Sequence, residues 1–202
     1  MELFAPISTM RGVGEAKAKA LGKLGIETPY DLLYHLPRSY VDYTTPQPIN
    51  FVRNGDQAVL RVRILQKLPP AFIRKNMTIY KCIATDDVSD ITIIIYNNVY
   101  LFQSLQQGAW YRMHGKIQGN SMRKEMVSPS IIPDRETDLF FPCYPLTTGI
   151  TSAFLSKLIK QILPLTEQIS DWCDAALRQE HNLIPLTTAL QQIHFPTTEQ
   201  TM

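Results

Sequence analysis

Hydrophobic positions change their period along this chain, and the changes mark out three stretches. Ala16, Ala20, Leu21 and Leu24 recur at helical spacing behind Gly12-Val13-Gly14, and Gly25 stands where such a helix would end. Thr28 then offers a side-chain cap with Pro29 at the first helical position, and Leu32, Leu33 and Leu36 repeat until Pro37 stops the run. Two short helices in a helix-hairpin-helix-like pair are therefore predicted. Residues 38–54, with prolines and tyrosines but no period, read as an extended connection.

From residue 58 the period becomes two. Residues 58–65 alternate, with Leu60, Val62 and Ile64 on one side and Arg61 and Arg63 on the other. Residues 78–84 and 91–96 are β-branched and aromatic, and Asp86-Asp87-Val88-Ser89-Asp90 makes a turn between them. A short helix over 99–106 closes at Gly108. Two more strands, 110–117 and 124–131, are joined by Gly119-Asn120-Ser121. Three strands, a short helix and two strands is the order of the OB-fold, a five-stranded barrel that binds oligonucleotides on strands two and three and on its 1-2 and 4-5 loops. Past a proline-containing joint at residues 141–145 the helical period returns, at Leu155, Leu158, Ile159 and Ile162, then around Trp172 and Leu177, then at Leu186, Ala189, Leu190 and Ile193. The expected class is α+β: an N-terminal helical segment (1–52), an OB-fold barrel (53–135) and C-terminal helices (136–202).

Charge sharpens this picture. The 202 residues hold 20 Lys and Arg against 18 Asp and Glu, a net charge of +2. Residues 53–135 hold twelve of the basic and six of the acidic side chains, whereas residues 136–202 hold three and seven. A basic middle beside an acidic end is the pattern of a polyanion-binding segment, or of an ordinary solvated surface. With 45% hydrophobic and 19% charged residues the chain can fill a core. Cys82, Cys143 and Cys173 are odd in number and far apart, which suggests neither a disulfide framework nor a metal site. No targeting segment or apolar run of membrane-spanning length occurs, so a cytoplasmic protein is expected.

Catalytic patterns are missing. Around Gly22-Lys23 the earlier glycines and the following hydroxyl of a phosphate-binding loop are absent, so neither a triphosphate nor its magnesium has a cradle. His35, His114, His181 and His194 share no ligand spacing, and no nucleophile elbow is present. No catalytic residue, metal or cofactor is assigned to the chain. Binding residues are easier to nominate. Arg61 and Arg63 face away from the barrel core, and Tyr96 falls on the outer phase of its strand with Thr92 and Ile94, either as a stacking platform or packed under the helix at either end. Phe72, Arg74 and Lys75 lie on loop 1-2, as a wedge between bases or a solvated tip. Lys116, Arg123 and Lys124 flank the 4-5 turn. Gly12 and Gly14 present backbone N–H groups to a phosphate, or make a tight turn beside a neighbouring domain.

Four strings resemble one family. They are Gly12-Val13-Gly14 with Leu24-Gly25-Ile26; residues 31–40, Asp-Leu-Leu-Tyr-His-Leu-Pro-Arg-Ser-Tyr; residues 142–147, Pro-Cys-Tyr-Pro-Leu-Thr, with Gly149; and Ala189-Leu190 with Ile193-His194-Phe195-Pro196. Together they resemble the N-terminal wedge region of the RecG helicases. The resemblance implies a barrel that splits the branch point of replication forks and Holliday junctions, in DNA repair and recombination. It implies branched and single-stranded DNA as partners of a monomer, and an ATP- and magnesium-dependent motor following Met202. Where the family carries two phenylalanines and Asn, this chain has Ile95, Tyr96 and Asn97. Where the family has Met-Val-His-Pro-Glu, it has Met126, Val127, Ser128, Pro129 and Ser130. A stand-alone OB-fold binder of single strands is the alternative.

The isolated chain is expected to hydrolyse no ATP, with or without DNA. Turnover by a preparation free of contaminating ATPases would overturn that expectation.

Overall fold

The computed structural model describes residues 2–120 and 123–197; Ser121 of the expected 4-5 turn lies outside them. The chain divides into two compact units, one made of residues 1–41 with 140–202, the other of residues 42–139.

In the first unit, α1 (Glu15–Gly22) and α2 (Pro29–Leu33) are followed by β1 (Ser39–Asp42). Helix α1 ends in a Schellman turn: Gly25 takes φ +75°, and the N–H groups of Ile26 and Gly25 reach the carbonyls of Leu21 and Gly22. Helix α2 starts in a capping box between Thr28 and Asp31 with Pro29 in the first turn. The local signals thus act as read, with two corrections. Ala16 is exposed and Ala18 packs inward in its place, and α2 stops at Leu33, leaving Leu36 outside the helix and partly in solvent.

The second unit contains β2 (Gln57–Lys67), β3 (Ala71–Arg74), β4 (Met77–Thr85), β5 (Asp90–Tyr96), α3 (Val99–Ser104), β6 (Trp110–Gly119) and β7 (Lys124–Pro133). The first unit then resumes with β8 (Phe140–Cys143), α4 (Ser152–Ile162), α5 (Ala175–His181) and α6 (Leu186–His194). β1 and β8 form a two-stranded sheet. Both lie where the sequence pattern showed only connections, because a pairing across about a hundred residues leaves no local signature.

Strand β2 pairs antiparallel with β6 along one edge and with β4 along the other; β4 continues through β5 to β7, which returns to β6. The pairing of β5 with β7 is parallel. This closed five-stranded ring with mixed pairing is the OB-fold. Its core holds Leu60, Val62 and Ile64 of β2, Cys82 and Ala84 of β4, Ile91, Ile93 and Ile95 of β5, and Met113, Ile117 and Met126. Alternation assigned these faces correctly. Burial pushes the Cys82 thiol up to about 11, which makes it an inert core residue. Strand β3, expected as a loop, forms a hairpin with β4.

The first unit has a separate core. Leu21, Leu32, Leu33, Leu155, Leu158, Ile159 and Ile162 fill it, so segments from both ends of the chain share one apolar cluster. His194 is buried at its edge, with Nδ1 3.0 Å from the Tyr144 hydroxyl and Nε2 2.8 Å from the Leu33 carbonyl oxygen. Among the described residues no helix is long and apolar enough to cross a membrane.

Burial holds the His194 ring below its ordinary 6.5, partly offset by the bond to Leu33 and reinforced by nearby His35. The unfolded chain therefore takes up this proton first, and stability present above pH 6.5 is lost as the pH falls towards the folded-state value. Thermal melts between pH 7 and 5 should show the first unit weakening on acidification, and His194→Gln should remove that part of the pH dependence at the cost of a lower melting temperature. An unchanged pH profile in His194→Gln would refute the assignment.

Candidate nucleic-acid interface

The β3–β4 hairpin brings together residues nominated on separate strands. All four residues of β3 are exposed. Phe72, at 82% exposure, and Ile73, at 57%, carry large apolar surfaces into solvent. Arg74, Lys75, Asn76 and Met77 continue round the turn and, with Tyr96 and Asn97, line a cleft of about 450 Å³. Tyr96 leaves the end of β5 opposite Ile79 and keeps 38% of its surface. The aromatic packed beneath α3 is Tyr80 instead, its ring 5.1 Å from that of Phe102. Strand phase explains the difference: Tyr80 shares the inward phase of Cys82 and Ala84, and Tyr96 the opposite phase with Ile94, although Ile94, expected on the outer face, is itself buried while Tyr96 at the strand end is not.

Asn97, which the family resemblance picks out without assigning it a role, holds this arrangement. Its backbone takes φ +52°, a conformation Asn tolerates better than most residues. Its side-chain oxygen accepts the Thr78 N–H at 2.8 Å, its amide donates to the Asn76 carbonyl at 2.9 Å, and its own N–H reaches the Thr78 carbonyl. A long ribbon that would otherwise be free is thereby tied to the barrel beside Tyr96. An Asn directly after a β-branched strand was the available signal.

The other nominated residues fall elsewhere. Arg63 pairs in register with Thr85 and Tyr96 with Ile79, so they sit at opposite ends of β4. Arg61 makes a bidentate pair with Asp134 at 2.8 to 3.0 Å, Arg63 pairs with Asp87, and Arg112 reaches Asp134 at 3.1 Å. Both β2 guanidinium groups also lie over the Trp110 ring, Arg61 at 4.3 Å and Arg63 at 5.7 Å. Hydrogen bonding to Arg61 holds the Asp134 carboxyl below the usual range, with Arg112 adding to the effect. These arginines face outward, as alternation requires, but carboxylates already occupy them.

At the far end of the barrel, Lys116 and Arg123 are exposed around the β6–β7 turn, with Arg123 3.6 Å from Glu125. Lys124 is structural in part: its ammonium donates to the carbonyls of Ile49 and Asn50. In the helical unit, Gly12 takes φ +93° and Gly14 caps α1 with no side-chain bond. A Cβ at either glycine would meet nothing within 4 Å, so no packing within the structure demands Gly14. Glu15 occupies the first turn of α1, where its carboxylate disfavours a second anion. Among the described residues no group of three or more His, Cys, Asp or Glu side chains could hold a metal ion.

Residues 6–166 match the family model of the RecG wedge domain, across both units. The chain belongs to the RecG wedge domain family. ATP-dependent DNA helicase RecG of Pasteurella multocida is 31% identical over 95% of this chain and 28% of its own length. The protein of the same name from Escherichia coli K12 is 30% identical over the same shares, and that of Thermotoga maritima 26% identical over 98% of this chain and 26% of its own. The chain thus spans about a quarter of the length of the curated relatives it matches. The solved structure of RecG bound to a three-way DNA junction superposes on all of this chain with a TM-score of 0.85 at 24% identity, covering 28% of that protein, and has the same wedge fold.

Asn97→Gly keeps the left-handed backbone accessible and removes only the side-chain bonds, worth about 1 to 2 kcal/mol in sum. Hydrogen exchange across residues 72–78 should accelerate while exchange in the β2–β6 ladder stays unchanged. Equal acceleration in both would mean that Asn97 supports the whole barrel rather than the hairpin.

Proposed function

We propose that this chain is the DNA-binding wedge of a RecG-type ATP-dependent helicase, engaging branched DNA at replication forks and Holliday junctions. One observation carries the reading: an exposed hairpin brings Arg74 and Lys75 to Tyr96 and carries Phe72 on its outer strand, offering ring faces for bases and cations for phosphates. Neither Arg74 nor Lys75 forms an ion pair with a described residue, so both charges are available without breaking an existing contact. An aromatic wedge needs this combination. Unpaired bases leave the duplex only if new stacking replaces what they lose, and the separated phosphates must be neutralised as they diverge.

Lys116 and Arg123 serve in this reading as a second phosphate-binding edge. Arg61 and Arg63 contribute less, since each must exchange a carboxylate for a phosphate. The N–H groups at Gly12 and Gly14 make an accessory phosphate contact weakened by Glu15. Motor activity, with its ATP and magnesium, belongs to the longer relatives, and the wedge itself acts as a cytoplasmic monomer. The alternative of a free-standing OB-fold binder is disfavoured because the family match extends beyond the barrel on both sides, over residues 6–166.

Tyr96→Ala and Phe72→Ala should each weaken binding to a forked oligonucleotide by about 1 to 3 kcal/mol, the usual worth of one stacked base, and Tyr96→Phe should cost little. With about four to six phosphate contacts, the logarithmic dependence of affinity on salt should have a slope of roughly −3 to −5, which the aromatic substitutions leave unchanged. A slope near zero, or full affinity in both alanine variants, would sink the reading.

A further inference from the structure

The segment before the barrel reads from sequence as a mere connection, yet residues 49–56 are anchored to the barrel at several points. Ile49 and Val52 are buried in the barrel core. The Ile49 N–H donates to the Asp86 carboxylate at 2.8 Å, and the carbonyls of Ile49 and Asn50 both accept from Lys124. Gly55 donates to the Ile117 carbonyl, Ile117 donates to the Asp56 carbonyl, and the Asp56 side chain accepts the Arg53 N–H at 2.8 Å. The turn from Pro48 to Phe51 is closed by a backbone bond of 3.1 Å.

Between those anchors Phe51 stands 74% exposed. Both neighbours in sequence are pinned, so chain flexibility does not account for the position: the backbone holds an aromatic ring out in water. Arg53 is exposed two residues later, Lys116 lies on the adjoining β6, and Arg123 lies in the turn just before β7. Asn50, Arg53, Asn54, Gln118, Asn120 and Lys124, with Val52 and Gly119, line a recess of about 230 Å³ beside this segment. An isolated exposed Phe would be unremarkable. An exposed ring on anchored backbone, next in sequence to residues of a recess that carries amide side chains and cations, has the composition of a nucleobase site: a face to stack on, amide groups for base edges, and charge for the flanking phosphates.

We propose that Phe51 is a second stacking anchor for single-stranded DNA, with Arg53 and Lys116 holding the adjacent phosphates. It lies at the opposite end of β5 from Tyr96: Lys124 and Glu125 adjoin the beginning of that strand through the Thr92–Glu125 pairing, and Tyr96 ends it. Seven residues of strand separate the two anchors by roughly 20 Å. The strand phase between them that points away from the barrel core carries half-buried Thr92 and Lys81, with Ile94 buried between them. One unpaired arm can therefore be held at both ends, entering at the hairpin and leaving at Phe51. This inference rests on the DNA-binding reading above and adds a direction and a minimum length to it.

The test uses the 202-residue chain and forked oligonucleotides whose single-stranded arm is shorter or longer than that span, with a fluorescent adenine analogue placed at successive arm positions. Phe51→Ala should weaken long-arm forks by roughly five- to a hundredfold and leave short-arm forks unaffected. The analogue's quenching at distal positions should be lost in Phe51→Ala, and Phe51→Trp should keep it. Arg53→Gln, which leaves the core anchors intact, should weaken long-arm binding and reduce the salt slope. If Phe51→Ala and Arg53→Gln bind long arms as the parent does while Tyr96→Ala is weakened, the second anchor is wrong and the wedge reading stands. If Phe51→Ala weakens short and long arms equally, no second stacking contact exists on the arm. If none of the three substitutions changes affinity, the DNA-binding reading itself has failed.

Discussion

Everything on the barrel depends on β2 satisfying two neighbours at once. Its first residues pair with β6 and its last with β4, and around Arg63 and Ile64 it holds both. A flat strand could not do so, and the register shift between Ile64 and Gln66 supplies the bend. With the ring closed, no barrel edge remains open, and Leu60, Val62 and Ile64 point to its axis. Closure also sets where the ends of the other strands emerge, which decides what stands beside what on the surface.

Two kinds of basic residue emerge from that arrangement. On the β2–β6 ribbon the cross-strand pairs Arg61 with Arg112 and Arg63 with Trp110 would crowd three cations together, and Asp134 and Asp87 neutralise them. Such groups are part of the protein's own electrostatic balance. On the hairpin and the β6–β7 turn the cations project from short connections with few acidic neighbours. A phosphate meets less competition there, and the aromatics in reach, Phe72, Tyr96 and Phe51, are held by bonds made through neighbouring backbone.

The helical unit shows a different economy. Its core draws on α1, α2 and α4, so segments separated by more than a hundred residues complete one apolar cluster. The buried bonds of His194 to Tyr144 and to the Leu33 carbonyl tie the end of α6 into that cluster. A neutral imidazole can donate at one nitrogen and accept at the other, and so bridges a hydroxyl and a carbonyl that would otherwise be buried without partners.

The five barrel strands, their inward faces, the helix caps at Thr28 and Gly25, and the outward ring of Tyr96 were all legible in the sequence. Each follows from a period or a cap formed within a few residues, where side-chain direction is dictated by the backbone itself. The family strings were legible for the same reason, being short. What only the tertiary structure decided was pairing. It made strands of residues 39–42 and 140–143, folded loop 1-2 into a hairpin beside Tyr96, and turned residues 49–56 from a connection into a rigid ledge under Phe51. It also matched Arg61 and Arg63 with Asp134 and Asp87. Those outcomes depend on groups far apart along the chain, whose attraction can be weighed only after closure of the barrel has brought them within a few ångströms, and no local pattern records that distance.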